Sequence, residues 1–142
     1  SYLRLVPGAH APTSLCWAYE NRTAALRIPD GPGAARRIEH RVAGGDTNPY
    51  LLLAVILGGA LMGIEAGRQP PPPITGNAYE QDHDALAQDW AAAIEVFEAS
   101  PSMRQILGAP LVDQFVCTKR QEYALSKDMT EADALRLCFD RV

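Results

Sequence analysis

The period of apolar and polar positions changes near residue 48. Before it, short alternating runs are separated by Pro- and Gly-rich turns such as Val6-Pro7-Gly8 and Asp30-Gly31-Pro32-Gly33. Three runs read as strands, over Thr13–Tyr19, Thr23–Pro29 and Ala35–Ala43. Their short connections favour antiparallel neighbours. In the third run, Arg37, Glu39 and Arg41 share one face, because side chains alternate along a strand. Ile38 and Val42, with His40 between them, take the other face, which reads as core. From Asn48 onward the spacing is helical. Asn48-Pro49 supplies an N-cap and an N1 proline for a helix over Asn48–Ala66 that is apolar nearly all round, and such a helix is expected to be buried. A second helix spans Asp89–Ala99, with Trp90, Ile94 and Phe97 in register. Ser100-Pro101 opens a short one carrying Met103, Ile106 and Leu107, and Pro110 opens one to about Lys127 carrying Val112, Val116 and Tyr123. Thr130-x-x-Asp133 has capping-box spacing before a last helix with Leu135, Leu137 and Phe139. Pro70–Pro73 reads as a stiff connector and residues 76–84 as polar loop. The expected class is α+β: a small antiparallel sheet of about three strands, then about five helices.

Composition adds a polarity between the two halves. The 142 residues are 47% apolar and 21% charged, enough for one domain with its own core. We divide them into a strand-rich segment (1–47) and a helical segment (48–142). The net charge is −4, yet residues 1–45 carry six Arg against three acids. The only lysines are Lys119 and Lys127, so the basic excess is Arg, which suits bidentate capture of carboxylate or phosphate. Cys16, Cys117 and Cys138 have neither disulfide-framework nor zinc spacing, and all three read as core thiols, the default of a cytoplasmic protein. The apolar run Leu51–Ile64 is too short to span a bilayer, so no membrane partner is expected. The sequence opens at Ser1 without a Met and runs directly into dense motifs, which reads as a stretch of something longer.

The candidate chemistry lies in the first fifty residues. Arg37, Glu39 and Arg41 at strand spacing sit roughly 6.5–7 Å apart, so two guanidiniums flank one carboxylate. That set can hold anions on either side of a cation, or form a solvated face of cross-strand ion pairs. The arginines are not interleaved with exposed aromatics, which argues against nucleic acid. His40 reads as a structural histidine and His83 as a loop residue among carboxylates.

Four blocks carry a family resemblance: RLVPGAHAP (Arg4–Pro12), NRTAALRIP (Asn21–Pro29), ARRIEHR (Ala35–Arg41) and NPYLLLAVILGGALMGI (Asn48–Ile64). In this order they resemble the C-terminal part of a glutamine synthetase catalytic domain. The later stretch GNAYEQDHDALAQDWAAAIEVFEAS resembles the γ-glutamylpolyamine branch, which joins glutamate to an amine. The resemblance implies an ATP-dependent ligase working through γ-glutamyl phosphate, with Mg²⁺ or Mn²⁺ as cofactor and assembly of the full-length protein into homo-oligomers. It implies that Arg4, Arg41 and His10 face glutamate and the amine or ammonia. Arg22 and Arg27 would stabilise the transferring phosphoryl group, Arg22 and Arg37 would contact ATP, and Glu39 would ligate metal. His10 stands where ammonia-using members carry a Glu, which favours a larger amine. The resemblance leaves out the family's N-terminal domain and most metal carboxylates, so the isolated chain is expected to be inactive. The alternative is a non-catalytic anion- or nucleotide-binding or assembly module that keeps the fold.

Overall fold

The computed structural model describes residues 2–130, 132, 133, 135 and 136. They form two compact units, Ser1–Gly45 with Gln69–Gln88, and Asp46–Arg68 with Asp89–Val142. The chain therefore leaves the first unit for one helix, returns to it, and leaves again.

The first unit holds a three-stranded sheet, β1 (Trp17–Tyr19), β2 (Leu26–Ile28) and β3 (Glu39–His40), in the order β1-β2-β3. The pairing corrects the expectation of an antiparallel sheet: β2 and β3 are antiparallel, but β1 and β2 are parallel. Parallel neighbours ordinarily need a long crossover. Here each strand has three residues, so residues 20–25 need to return only about 10 Å, within reach of an extended chain. Glu20 turns the chain at φ 48, and the N–H groups of Ala25 and Leu26 both donate to the carbonyl of Cys16.

The strands are shorter than their alternation suggested. The start of the first run pairs elsewhere: Ser14 bridges Ala85, Leu15 N donates to Asp84 O, and Leu86 N donates to Thr13 O. Residues 69–88 are thus built into this unit. Trp17 Nε1 donates to Pro71 O at 2.7 Å, Ile74 N donates to Trp17 O at 3.0 Å, and Tyr79 Oη donates to Ala11 O at 2.8 Å. The proline run is a strap laid along β1. Beneath it the core is small: Ala11, Ala18, Ala24 and Ala78 are buried together with Leu5. The face of Ile38 and His40 is not core, since Ile38 is 69% exposed and His40 lies opposite exposed Leu26.

The second unit is helical: α1 (Pro49–Glu65), α2 (Trp90–Ala99), α3 (Pro101–Leu107) and α4 (Ala109–Ser126). Asn48 Oδ1 caps α1 by accepting from Tyr50 N and Leu51 N, and Gly67 at φ 60 ends it. There Arg68 N bonds Gly63 O and Gly67 N bonds Ile64 O, the pairing of a Schellman motif. Asp89 and Ser100 cap α2 and α3. Ile94, Val112 and Val116 form the buried centre, covered by Trp90, Phe97, Met103, Leu107 and Tyr123. These are the residues the helical spacing singled out. Gly58 lets α1 approach α3 closely, because a Cβ there would lie 2.6 Å from Ile106.

Burial of α1 is the second correction. It has no buried residue, and Tyr50, Leu53, Leu57, Leu61 and Ile64 are exposed. Periodicity reports only that a helix lacks a polar face; burial needs a covering element. Cys117 is likewise exposed, and Cys16 is half-buried. Thr130 Oγ1 accepts from Asp133 N at 3.3 Å, but most of the expected last helix, with Leu137, Cys138 and Phe139, lies outside the described residues.

Candidate active site

The β2–β3 register sets Arg27 directly opposite Glu39. Arg27 Nη1 lies 3.1 Å from Glu39 Oε2, and its Nη2 lies 2.9 Å from Glu20 Oε2. Arg41 Nη1 reaches the same Glu39 Oε2 at 3.2 Å. The result is a continuous chain of alternating charge, Glu20–Arg27–Glu39–Arg41. Its outer carboxylate is anchored further, because Glu20 Oε1 accepts the backbone N–H of Asp30. Its far end ties down two loops: Arg41 Nη2 donates to His10 O at 2.8 Å and to Arg22 O at 3.1 Å. Arg4 Nη2 donates to the carbonyls of Arg41, Val42 and Ala43, fastening the end of β3.

The electrostatics follow the geometry. The Asp30 N–H, then Arg27, hold the Glu20 carboxyl below its ordinary value. Burial pushes Glu39 upward, but hydrogen bonds from Arg27 and Arg41 outweigh it, and its net shift is downward. Arg27 is raised, first by its hydrogen bond to Glu20. Partial shielding of the ring lowers His40. The Nε atoms of Arg27 and Arg41 are buried and have no hydrogen-bond partner. An acceptor placed beside them would remove that cost.

A cavity of about 690 Å³ opens beside this chain, lined by His10, Glu20, Arg22 and Arg27 on one side and Thr75 to Asn77 on the other. Asn21 locks the two sides together, since its Nδ2 donates to Gly76 O at 2.6 Å while its Oδ1 accepts from Thr23 N and Oγ1. Thr23 Oγ1 in turn accepts from Ala78 N at 3.0 Å. Arg22 is exposed on the cavity; Arg41 holds its backbone carbonyl, while its guanidinium makes no hydrogen bond or ion pair among the described residues and acts on Glu20 only through its charge. His10 lines the same cavity with φ 51, a conformation held by the Arg41 bond to its carbonyl.

Of the residues singled out in the sequence, Arg22, Arg27 and His10 meet at the cavity, and Glu39 and Arg41 join them through the ion chain. Arg4 acts on backbone carbonyls. Arg37 stands apart: it precedes β3, is exposed, and reaches only the carbonyl of Ala35 at 3.4 Å. Strand alternation therefore groups Glu39 with Arg41 but not with Arg37. Glu20, Asn21, Thr23 and Asn77 were missed. The only signal for them was the turn chemistry of Glu20-Asn21 and Gly76-Asn77.

Both oxygens of Glu39 face Arg27, and Oε2 also faces Arg41. Among the described residues no three His, Cys, Asp or Glu side chains cluster as a metal site. A magnesium ion takes about six oxygen ligands, so these residues alone do not make a metal centre.

The profile for the glutamine synthetase catalytic domain matches residues 1–137, and the chain belongs to the glutamine synthetase family. It is 37% identical over 143 residues to a γ-glutamylethanolamide synthetase of Streptomyces coelicolor, covering 100% of this chain and 30% of that protein. It is 36% identical over 122 residues to the γ-glutamylputrescine synthetase of Escherichia coli, covering 86% of this chain and 26% of that protein. A glutamine synthetase of Halobacterium salinarum is 36% identical over 132 residues, covering 87% of this chain and 29% of that protein. Ligand-free GmaS superposes with a TM-score of 0.76 at 31% identity, over 95% of this chain and 31% of that one. The γ-glutamylpolyamine branch is thus represented among its relatives, and the chain spans about 30% of the length of the relatives it matches.

Proposed function

We propose that this chain supplies the arginine side of an ATP-dependent ligase that joins glutamate to an amine through γ-glutamyl phosphate. The observation that carries the reading is the cavity in which the Arg22 guanidinium is unpaired while Arg27 is held in place by Glu20 and Glu39. Phosphoryl transfer from ATP to a carboxylate concentrates negative charge, so fixed guanidiniums aimed at that charge give most of what a protein can contribute. Arg22 is the group free to follow the moving phosphoryl. Arg27, pinned by two carboxylates, is the stationary partner. Arg4 and Arg41 shape the glutamate side through the loop carbonyls they hold, and Arg37 reaches toward ATP from outside the cavity. His10, an imidazole ring where ammonia-using members carry a carboxylate, favours an amine larger than ammonium. A divalent metal would supply neutralisation of phosphate charge when bound, and Glu39 would be one carboxylate toward it only by giving up a bond to Arg27 or Arg41. The name of the Streptomyces relative points to the acceptor class, small primary amines.

The test is a hybrid ligase in which this stretch replaces the matching 30% of the Streptomyces relative. Phosphate release is measured with ATP, Mg²⁺, glutamate and ethanolamine or putrescine. Amine-dependent release from the hybrid, and none from the 142-residue chain alone, is the expected result. A folded hybrid that binds ATP without any release would leave the non-catalytic nucleotide-binding module as the better reading.

A further inference from the structure

We infer that Asn21 and Thr23 are positioning residues of this site: with residues 76–78 they form a clasp that fixes the backbone on both sides of Arg22 and leaves its guanidinium free. The inference rests on the reading of Arg22 as the group that faces the transferring phosphoryl. Arg22 lies in the return from β1 to β2 and is exposed. A long side chain on an exposed loop ordinarily aims poorly, because backbone and rotamers are both free. Here the backbone is held. Asn21 Oδ1 accepts from Thr23 N at 3.0 Å, an Asx turn drawn around Arg22. The same oxygen accepts from Thr23 Oγ1 at 2.7 Å, and Asn21 Nδ2 donates to Gly76 O at 2.6 Å. Thr23 Oγ1 accepts from Ala78 N at 3.0 Å. Arg41 Nη2 holds the Arg22 carbonyl itself, at 3.1 Å. Ala24 and Ala25, next in the chain, are buried. Residues 21, 22 and 23 are thus each tied at a polar group, and no tie uses the Arg22 guanidinium.

The side chains suit these places chemically. Asn21 needs a donor toward Gly76 O and an acceptor toward Thr23, and one amide supplies both. The Thr23 hydroxyl donates to Asn21 and accepts from Ala78 N; a valine of the same shape does neither. Ala78 is 2% exposed, so losing that bond leaves its N–H buried and unpaired. The strap does not need the clasp to stay docked. Trp17 Nε1 to Pro71 O, Ile74 N to Trp17 O, Tyr79 Oη to Ala11 O and Leu86 N to Thr13 O hold it elsewhere. What the clasp adds is registration. It ties the turn carrying Arg22 to Gly76 in the facing wall of the same cavity, so two side chains set the width between Arg22 and Thr75–Asn77. A guanidinium with a fixed backbone loses only side-chain freedom on meeting a phosphoryl group. That is the preorganisation electrostatic catalysis requires.

The experiment has two arms. In the hybrid ligase, assayed with ATP, Mg²⁺, glutamate and ethanolamine, Thr23→Val is expected to lower kcat and kcat/KM equally, by about 10-fold, the signature of an interaction expressed in the transition state. Thr23→Ser restores the rate, because it keeps the hydroxyl. In an Arg22→Ala background Thr23→Val costs nothing further, since it acts through Arg22. Val112→Ala, which loosens the other unit, leaves kcat unchanged. Additive losses in the double variant would overturn the inference, as would an unchanged kcat in Thr23→Val or an equal fall in Val112→Ala. A hybrid with no ligation at all counts against the proposed function, and the clasp is then judged on the second arm. In the 142-residue chain, NMR relaxation is expected to give the Arg22 amide an order parameter of about 0.85 in the unmodified chain and in Thr23→Ser, and below about 0.6 in Thr23→Val. A mobile Arg22 amide in the unmodified chain, or an equally rigid one in Thr23→Val, overturns the clasp whatever the hybrid does.

Discussion

The two units are held together by opposite means. The first has a core of alanines, and its order comes from polar braces: the Glu20–Arg27–Glu39–Arg41 chain, the Asn21 bridge to Gly76, and the strap bonded to Trp17. The second relies on large side chains, with Ile94, Val112 and Val116 enclosed by Trp90 packed edge-on to Tyr123 and Phe97 tilted against Phe115. Small core residues let backbone segments approach closely and bring many polar groups to one cavity. The cost is that little apolar area stabilises the arrangement, so order depends on charge pairs that respond to pH and substitution. Among the described residues the ion pairs of the helical unit, Arg104–Asp113, Lys119–Glu122 and Arg120–Glu98, are partly exposed, and the unit answers mainly to volume.

That contrast can be broken from either side, and each unit reports on itself through one tryptophan, Trp17 or Trp90. The largest effect is expected for Arg22→Ala in the hybrid ligase, a loss of about 10²–10³ in the rate of ligation, as for removal of one preorganised charge donor. Its melting temperature is expected to stay within about a degree, because Arg22 braces nothing through its side chain. A parallel fall in melting temperature would make Arg22 structural. Next comes Val112→Ala at a site with no exposure, expected to cost about 2 kcal/mol in urea unfolding followed at Trp90. An equal shift at Trp17 would show that the units unfold as one. Asn48→Ala removes the cap of α1 and is expected to cost about 1 kcal/mol, read as lost helicity.

The smallest effect is the most specific to the first unit. Glu20 and Glu39 have folded values below the ordinary 4.5, so the folded state favours their charged forms. Their stabilisation is complete above the unfolded value and is lost as pH falls through the folded one. Melting temperature is expected to decline slightly from pH 7 to about 5, because the folded state resists protonation of His40, and to fall more steeply below that as Glu20 and Glu39 are protonated, with Trp17 responding before Trp90. Glu39→Gln flattens the acid limb. An unchanged limb in that variant would mean that the ion chain does not stabilise the unit.

The caps and stripes of the helices were legible because they depend on neighbours three and four residues away: Asn48 and Ser100 cap where the sequence placed them, and Val112 and Val116 lie inside. Strand alternation also placed Glu39 with Arg41, since that relation is local. Of the residues in the family blocks, Arg22, Arg27 and His10 line one cavity. What the sequence by itself determined was therefore the type of each long element, the arginine-rich character of the first part, and the family. Tertiary structure decided the parallel pairing of β1 with β2, the recruitment of residues 69–88 to the first unit, the entry of Glu20 into the ion chain, the separation of Arg37 from it, and the bare face of α1. The reason is the same in each case. Strand direction, ion pairing across strands and burial are properties of two segments that meet, and no periodicity within one segment encodes which other segment arrives.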